Sequence, residues 1–192
     1  MTKSIYMNML KDKSKKAASL FLKNELRFIE STLSEIKEAM NVIVVGCYDG
    51  MYYESIKKHC FNYIGIDPYV NNKSMPNILM MSFESYAKQR HAINKDKSIF
   101  IFWFNVLSHI NIESITHCFI DGDIIINSLW GKEKSDIDAR NKYYSTFDDK
   151  SIQYQTVLET AKASHSLNDI GISFKSMNNF YHSPNLFEVA YV

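Results

Sequence analysis

The sequence predicts an α/β protein with a mostly parallel sheet and helices on both faces. Short runs of branched apolar residues alternate with helical segments through most of the chain, which is the pattern of strand–helix–strand units with right-handed crossovers. The segment 41–46 contains a continuous branched run, as expected for a parallel strand buried on both faces, and 98–107 is rich in aromatic and β-branched residues. The segments 171–183 and 186–192 have only a turn between them, so they must pair antiparallel. The prediction is therefore a seven-stranded sheet with an antiparallel last strand.

Length and composition favour one cytoplasmic domain. At 192 residues the chain can build a single domain with a substantial core. The net charge of +1 argues against a strong global field for nucleic acid or an anionic membrane. The three cysteines form no C-x-x-C pair and fit free thiols in a reducing compartment. The N-terminal segment lacks the apolar centre of a signal peptide, and no run is long enough to span a bilayer.

The first half of the chain reads as a helix followed by three strands. Residues 1–16 are polar and basic, and we prefer a solvated terminus over an arm that contacts a substrate. An apolar stripe from Leu22 to Met40, at steps of four and three, predicts a core-facing helix over about 16–40. The next predicted elements are a strand at 41–46, a short helix at 51–61, strands at 63–69 and 77–83, and a helix at 84–94.

The second half contains the strongest strand signal. Aromatic and β-branched residues fill the segment 98–107. Residues 111–123 read as a helix that ends in a turn, and 124–130 as a fifth strand. A charged insertion at 131–150 breaks the alternation, and 151–167 resumes as a helix before the two closing strands.

The loop "GCYDG" at 46–50 follows the first buried strand and predicts a ligand site. A dinucleotide-binding loop needs G-x-G-x-x-G, and here Tyr48 and Met51 would stand at the second and third glycines. A ligand without phosphates therefore fits better. Asp67 ends the second strand about twenty residues later, where a carboxylate faces the ribose of a bound nucleoside. The alternative is that Asp67 stabilises the turn at Pro68.

Five segments, in order, carry a resemblance to a known family. They are "VIVVGCYDG" at 42–50, "YIGIDPY" at 63–69, "IFIFWFNVLSHI" at 99–110, "FIDGDIIINS" at 119–128 and the closing strand pair at 171–192. Each is similar to a motif of the class I S-adenosylmethionine-dependent methyltransferases, which have a Rossmann-like α/β fold. The resemblance covers the chain from Asn41 to Val192.

The resemblance implies one methyltransferase-like domain over 1–192, with S-adenosyl-L-methionine as cofactor and S-adenosyl-L-homocysteine as product. Its parts would be a basic arm and helix at 1–40, a cofactor-binding core at 41–129, an insertion at 130–151, and a helix with the closing strand pair at 152–192. The implied cofactor-binding residues lie on the glycine loop, after the second and third strands and at the tip of the fourth: Gly46, Cys47, Tyr48, Gly50, Asp67, Pro68, Tyr69, Ser82, Phe83, Asn105, Val106 and Leu107.

Three positions depart from the family pattern. Val44 replaces an acidic residue two before the first glycine, Tyr48 replaces the middle glycine, and Ser82 replaces an acid after the third strand. The aspartate usual early in the fourth strand is also missing. Because each lost polar contact costs roughly 1 kcal/mol, the alternative is an inactive methyltransferase-like subunit that binds a protein partner.

His109 is the candidate catalytic base, since it follows the tip of the fourth strand; a structural histidine at a helix start is the other interpretation. The candidate residues for the methyl acceptor are Tyr52, Tyr143, Tyr144 and His182. The remaining histidines and cysteines show no zinc spacing, so no metal is expected. The acceptor is left open between a small molecule and RNA, and the lysine-rich start slightly favours RNA.

Overall fold

The computed structural model describes residues 16–38, 40–48, 50, 52–69, 77–144 and 164–192. The basic arm at 1–15 and most of the helix predicted at 151–167 lie outside these residues. The described residues form one seven-stranded sheet with helices against both of its faces. The predicted fold class is confirmed.

The strands follow one another in the order β3-β2-β1-β4-β5-β7-β6 across the sheet. Strands β1 to β5 run parallel, and β7 pairs antiparallel with both β5 and β6. Chain order reverses beside β1, so the crevice between β1 and β4 is the switch point where ligands bind such sheets. The strands are β1 (Asn41–Val45), β2 (Asn62–Ile66), β3 (Ile78–Leu79), β4 (Ser98–Phe102), β5 (Ile124–Trp130), β6 (Ser176–His182) and β7 (Asn185–Tyr191).

The central strands β1, β4 and β5 are buried at every position because both of their faces are covered. On β1, Val42 and Val44 point into one core, while Ile43 and Val45 point into the other. Strands β4 and β5 alternate in the same way. This alternation is the period-2 geometry of a strand, and it explains why the sequence shows continuous apolar runs.

The described residues contain four α-helices. They are α1 (Lys16–Glu35), α2 (Tyr53–Ile56), α3 (Phe83–Ile93) and α4 (Lys134–Tyr144). Ile29 and Leu33 of α1 join the core on the Val42 face of the sheet, whereas Phe83 and Tyr86 of α3 join the core on the Ile43 face. In the described part of the chain, no helix combines the length and the apolar character needed to cross a membrane.

The helix predicted at 111–123 is wrong. The segment forms two separate 3₁₀ turns, at Ile112–Ser114 and Thr116–Cys118. The hydroxyls of Ser114 and Thr116 donate to the carbonyls of Asn111 and Glu113. Short polar side chains that bond the backbone three residues back compete with a regular helix.

Four further segments differ from the prediction. Strand β3 has only two residues, and β4 ends at Phe102, since Phe104 and Asn105 adopt left-handed backbone angles that no strand can contain. The charged insertion at 131–150 contains helix α4, because buried Tyr143 and Tyr144 anchor it against Trp130. Of the helix predicted at 151–167, the described end at 164–166 is irregular, and a 3₁₀ turn follows at Leu167–Ile170.

Candidate functional site

A cleft of about 240 Å³ opens at the carboxyl ends of the central strands. It lies where β1, β2 and β4 end, beside the start of α3. This is the place where the sheet topology predicts a ligand. The residues that line it are Val45, Gly46, Ile66, Pro68, Tyr69, Ser82, Phe83, Glu84, Val106, His109 and Ile110.

Gly46 lets the glycine loop approach the tip of β4. Its φ is +74°, and a Cβ atom at this position would lie 2.7 Å from Cγ2 of Val106. The amide groups of Gly46 and Cys47 both donate to the carbonyl of Ile66, and the amide of Gly50 donates to the carbonyl of Cys47. These amides are thus bonded within the protein, unlike the open amides of a loop that cradles a phosphate.

Tyr48 takes the backbone conformation of the glycine that it replaces. Its φ is +51°, in the left-handed region that favours glycine. Its amide donates to Oδ2 of Asp67 over 3.0 Å. Tyr48 is not among the residues that line the cleft.

Asp67 is fully buried and organises the two loops beside it. Besides the bond from Tyr48, its Oδ1 accepts the amide of Tyr69 over 2.8 Å. Asp67 therefore does what the alternative interpretation proposed, since it stabilises the turn through Pro68. It lies behind the cleft wall rather than on it, and its role toward a ribose stays a prediction.

Negative charge borders the cleft. The carboxylate of Glu84 lies in the wall and accepts the amide of Asn111 over 3.0 Å. Burial, together with the nearby carboxylates of Asp67 and Glu84, raises the pKa of Tyr69 above its usual value. None of the described residues that line the cleft is a lysine or an arginine. This environment favours a neutral or cationic ligand over an anionic one.

His109 lines the cleft as an uncharged side chain. Burial, together with the neighbouring imidazole of His165, lowers its pKa to about 4. At neutral pH the ring is therefore neutral. It can exchange hydrogen bonds with a ligand, but its affinity for a proton is weak for a general base.

Known structures share this architecture. The plantazolicin methyltransferase BpumL, solved with S-adenosylhomocysteine, superposes with a TM-score of 0.59 and 12% identity, over 98% of this chain and 89% of that one. A SAM-dependent methyltransferase from Archaeoglobus fulgidus gives 0.53 and 11%, over 87% and 94%. Magnesium protoporphyrin IX methyltransferase from Synechocystis PCC 6803, solved with SAM, gives 0.50 and 14%, over 92% and 82%. The chain has the fold of the SAM-dependent methyltransferases.

At the level of sequence this methyltransferase fold is far diverged. No family model matches the chain, and no curated protein matches it significantly. The likeness rests on the fold, since identities of 11% and 12% leave few shared side chains.

The methyltransferase fold brings half of the predicted cofactor residues to the cleft: Gly46, Pro68, Tyr69, Ser82, Phe83 and Val106. Cys47, Asp67, Asn105 and Leu107 are buried beside it, and Tyr48 and Gly50 shape the glycine loop. The hydroxyl of Ser82 caps α3 by accepting the amide of Ser85 over 3.2 Å.

The predicted acceptor residues lie on separate elements, except for the neighbouring pair Tyr143 and Tyr144. The hydroxyl of Tyr52 donates to the carbonyl of Leu22, and its ring packs edge-on against Trp103. Tyr143 and Tyr144 are buried in the packing of α4. His182 is exposed at the end of β6. Their role toward a methyl acceptor stays a prediction.

Sequence reasoning missed Glu84 and Glu25. Glu84 could have been found, because it lies in the first turn of a helix that starts at the carboxyl edge of the sheet. Glu25 sits within the apolar stripe of α1 and carries no local signal. Its carboxylate reaches the tip of β4, where Oε1 accepts the amide of Phe104 over 2.6 Å.

Proposed function

We propose that this protein is a SAM-dependent methyltransferase. The observation that carries the proposal is the cleft at the switch point, which has the carboxylate of Glu84 in its wall and no lysine or arginine among its described lining residues. S-adenosylmethionine carries a sulfonium cation, whereas a nicotinamide dinucleotide carries a pyrophosphate. Both the charge of the cleft and the internally bonded amides of the glycine loop support the cation.

The cleft fits the nucleoside part of that cofactor. Ile66, Phe83 and Ile110 offer apolar walls for a flat base, and Glu84 and Tyr69 offer polar groups at its edge. A carboxylate such as Glu84 can accept the exocyclic amine of adenine. Glu84 lies two residues after Ser82, which replaces the acid of the family pattern. We propose that Glu84 takes over the role of that acid. The volume of about 240 Å³ is below the ~300–1,000 Å³ of sites that enclose a whole ligand, so the remainder of the cofactor would extend out of the cleft.

When bound, the cofactor supplies an electrophilic methyl group on a positively charged sulfur. The residues of this chain would contribute binding, orientation and exclusion of water. Displacement at a methyl group depends chiefly on alignment of the two reactants, which a fixed cleft provides. Because the imidazole of His109 is neutral and weakly basic, we assign it contact with the ligand and not removal of a proton.

The acceptor that we favour is a small molecule. Two of the structural neighbours are named for plantazolicin and for magnesium protoporphyrin IX, and neither name refers to RNA. An RNA acceptor would draw on the basic residues at 1–16, which lie outside the described structure apart from the start of α1.

A second candidate is an inactive methyltransferase-like subunit. The complete burial of Asp67, with both of its oxygens bonded to loop amides, favours this reading, because a ribose would have to reach a carboxylate that solvent does not. The two candidates differ in whether the cleft takes up a nucleoside.

Calorimetric titration with S-adenosylmethionine, S-adenosylhomocysteine and NADH tests the proposal. We expect saturable binding of the first two and none of NADH. An Ile110→Trp variant should lose this binding, since the larger ring would fill the cleft. An Ile93→Trp variant, changed at an exposed position of α3, should keep it. Absence of binding of either adenosyl compound at millimolar concentration would refute the enzyme and leave the second candidate.

A further inference from the structure

The tip of β4 is held in a strained conformation. Phe104 and Asn105 are consecutive residues with φ of +46° and +60°. A single left-handed residue other than glycine costs on the order of 1 kcal/mol or more, and two in succession persist only where the surroundings enforce them. The conformation therefore requires partners that fix it.

Glu25 and β5 supply those partners. The amide of Phe104 donates to Oε1 of Glu25 over 2.6 Å, and the amide of Asn105 donates to the carbonyl of Ser128 over 2.8 Å. Glu25 reaches this point from α1, on the face of the sheet opposite to α3. The side chain of Glu25 thus connects α1 to the tip of β4.

The same strand tip forms a wall of the cleft. Trp103, the residue before the strained pair, donates its indole N–H to the carbonyl of Gly46. Val106, the residue after the pair, packs against Gly46 and lines the cleft together with His109. A shift of Phe104 would therefore move both the glycine loop contact and the cleft wall.

The surroundings of Glu25 contain no cation among the described residues that interact with it. The carboxyl is fully buried, Oε2 has no hydrogen-bond partner among the described residues, and the hydroxyl of Ser128 interacts with the carboxyl group. Tyr52 is the titratable group that interacts with it, and its own hydroxyl is bonded to the carbonyl of Leu22. Burial raises the pKa of Glu25 to about 8, although the interaction with Ser128 and the hydrogen bond from the amide of Phe104 act to lower it.

We infer that Glu25 is a positioning residue: its buried carboxyl, acting through the Phe104 amide, sets the strand-tip geometry that shapes the cofactor cleft. The identity of the ligand in the cleft rests on the proposed function. The coupling between Glu25 and the strand tip does not depend on it. The neutral acid is the form suited to this site, since no positive charge offsets an ionised one. Ionisation should therefore disturb the tip.

The ligand-free test is an NMR titration of the indole N–H signals, which belong to only two tryptophans. In the wild-type protein, we expect the Trp103 signal to move as the pH rises through about 8. In Glu25→Gln, a neutral variant of the same shape, it should stay constant. Glu30→Gln on the same helix, which loses only an exposed ion pair with Lys58, should titrate like the wild type. A Trp103 signal that is insensitive to pH, or one that moves equally in Glu25→Gln, would overturn the inference.

Calorimetry with S-adenosylhomocysteine provides the second readout. Glu25→Gln should bind within about twofold of the wild type near pH 7 and keep its affinity near pH 9, where the wild type should weaken severalfold. Glu25→Ala should bind at least tenfold more weakly while still unfolding cooperatively. Equal affinity of Glu25→Ala and the wild type would contradict the inference. If the wild type binds no adenosyl compound at all, the proposed function fails and the NMR titration alone decides the role of Glu25.

Discussion

At the scale of single residues, the glycine loop keeps its shape although its middle glycine is a tyrosine. Tyr48 adopts a φ of +51° and donates its amide to Asp67. This hydrogen bond stabilises the left-handed backbone conformation that a glycine would adopt without strain. The side chain is half-buried and does not line the cleft. The tyrosine is therefore compatible with an open cleft.

Substitution of Tyr48 tests this reading. Tyr48→Val should be less stable than Tyr48→Gly by about 1–2 kcal/mol, because a β-branched side chain resists a left-handed backbone. Urea denaturation of the two variants measures the difference. Tyr48→Gly should also bind S-adenosylhomocysteine within about threefold of the wild type. A gain of more than tenfold on removal of the ring would show instead that Tyr48 obstructs the ligand.

His109 makes the stability of the protein depend on pH. Its folded-state pKa is about 4, below the ordinary value of 6.5, so the unfolded chain binds the proton more tightly. The stability is complete above pH 6.5 and is lost as the pH falls toward 4. The loss attributable to this group is at most on the order of 3 kcal/mol. His109→Gln should flatten this part of a urea-denaturation profile, and an unchanged slope would show that His109 is not buried as described.

At the scale of elements, the charged insertion is held in place by one buried acid. Asp136 of α4 accepts hydrogen bonds from the hydroxyls of Tyr181 and Ser183, each over 2.7 Å. These bonds tie α4 to the β6–β7 hairpin. The sequence shows the insertion as a balanced run of charges, because periodicity cannot distinguish Asp136 from its exposed neighbours.

Removal of this acid should loosen the hairpin. Asp136→Ala is expected to destabilise the protein by about 2–4 kcal/mol, since two hydrogen bonds to a buried carboxylate disappear. Asp138→Ala, an exposed acid on the same helix, should change the stability by less than ~0.5 kcal/mol. Chemical denaturation of both variants supplies the comparison. Equal stabilities would mean that α4 contributes its apolar packing alone.

At the scale of the whole molecule, the sequence predicted the sheet well and the site in part. Strand β5 was predicted at its observed bounds, because β-branched residues fill a run that both cores cover. The cleft residues after β1, β2 and β4 followed from the resemblance to the methyltransferase motifs, whereas topology predicted only the edge of the sheet where they lie. Glu84 could have been found from its place in the first turn of α3, whereas Glu25 could not, since it reaches the site from a distant helix. The left-handed pair at Phe104 and Asn105 likewise depends on tertiary partners.

Ligand binding should stabilise the entire fold. A ligand that binds only the folded state at 100 times its Kd adds about 2.7 kcal/mol, which raises Tm by roughly 5–10 °C for a chain of this size. We expect such a shift with S-adenosylhomocysteine and none with NADH at equal concentration. Ile110→Trp should abolish the shift, and a shift retained in that variant would place the ligand outside the cleft.

A crystal structure grown with saturating S-adenosylhomocysteine tests the central claim most directly. The account predicts density for the adenosyl group between Phe83 and Ile110, with the exocyclic amine toward Glu84 and the sulfur toward the tip of β4. A cleft that stays closed to the nucleoside, or a ligand bound elsewhere on the protein, would contradict it.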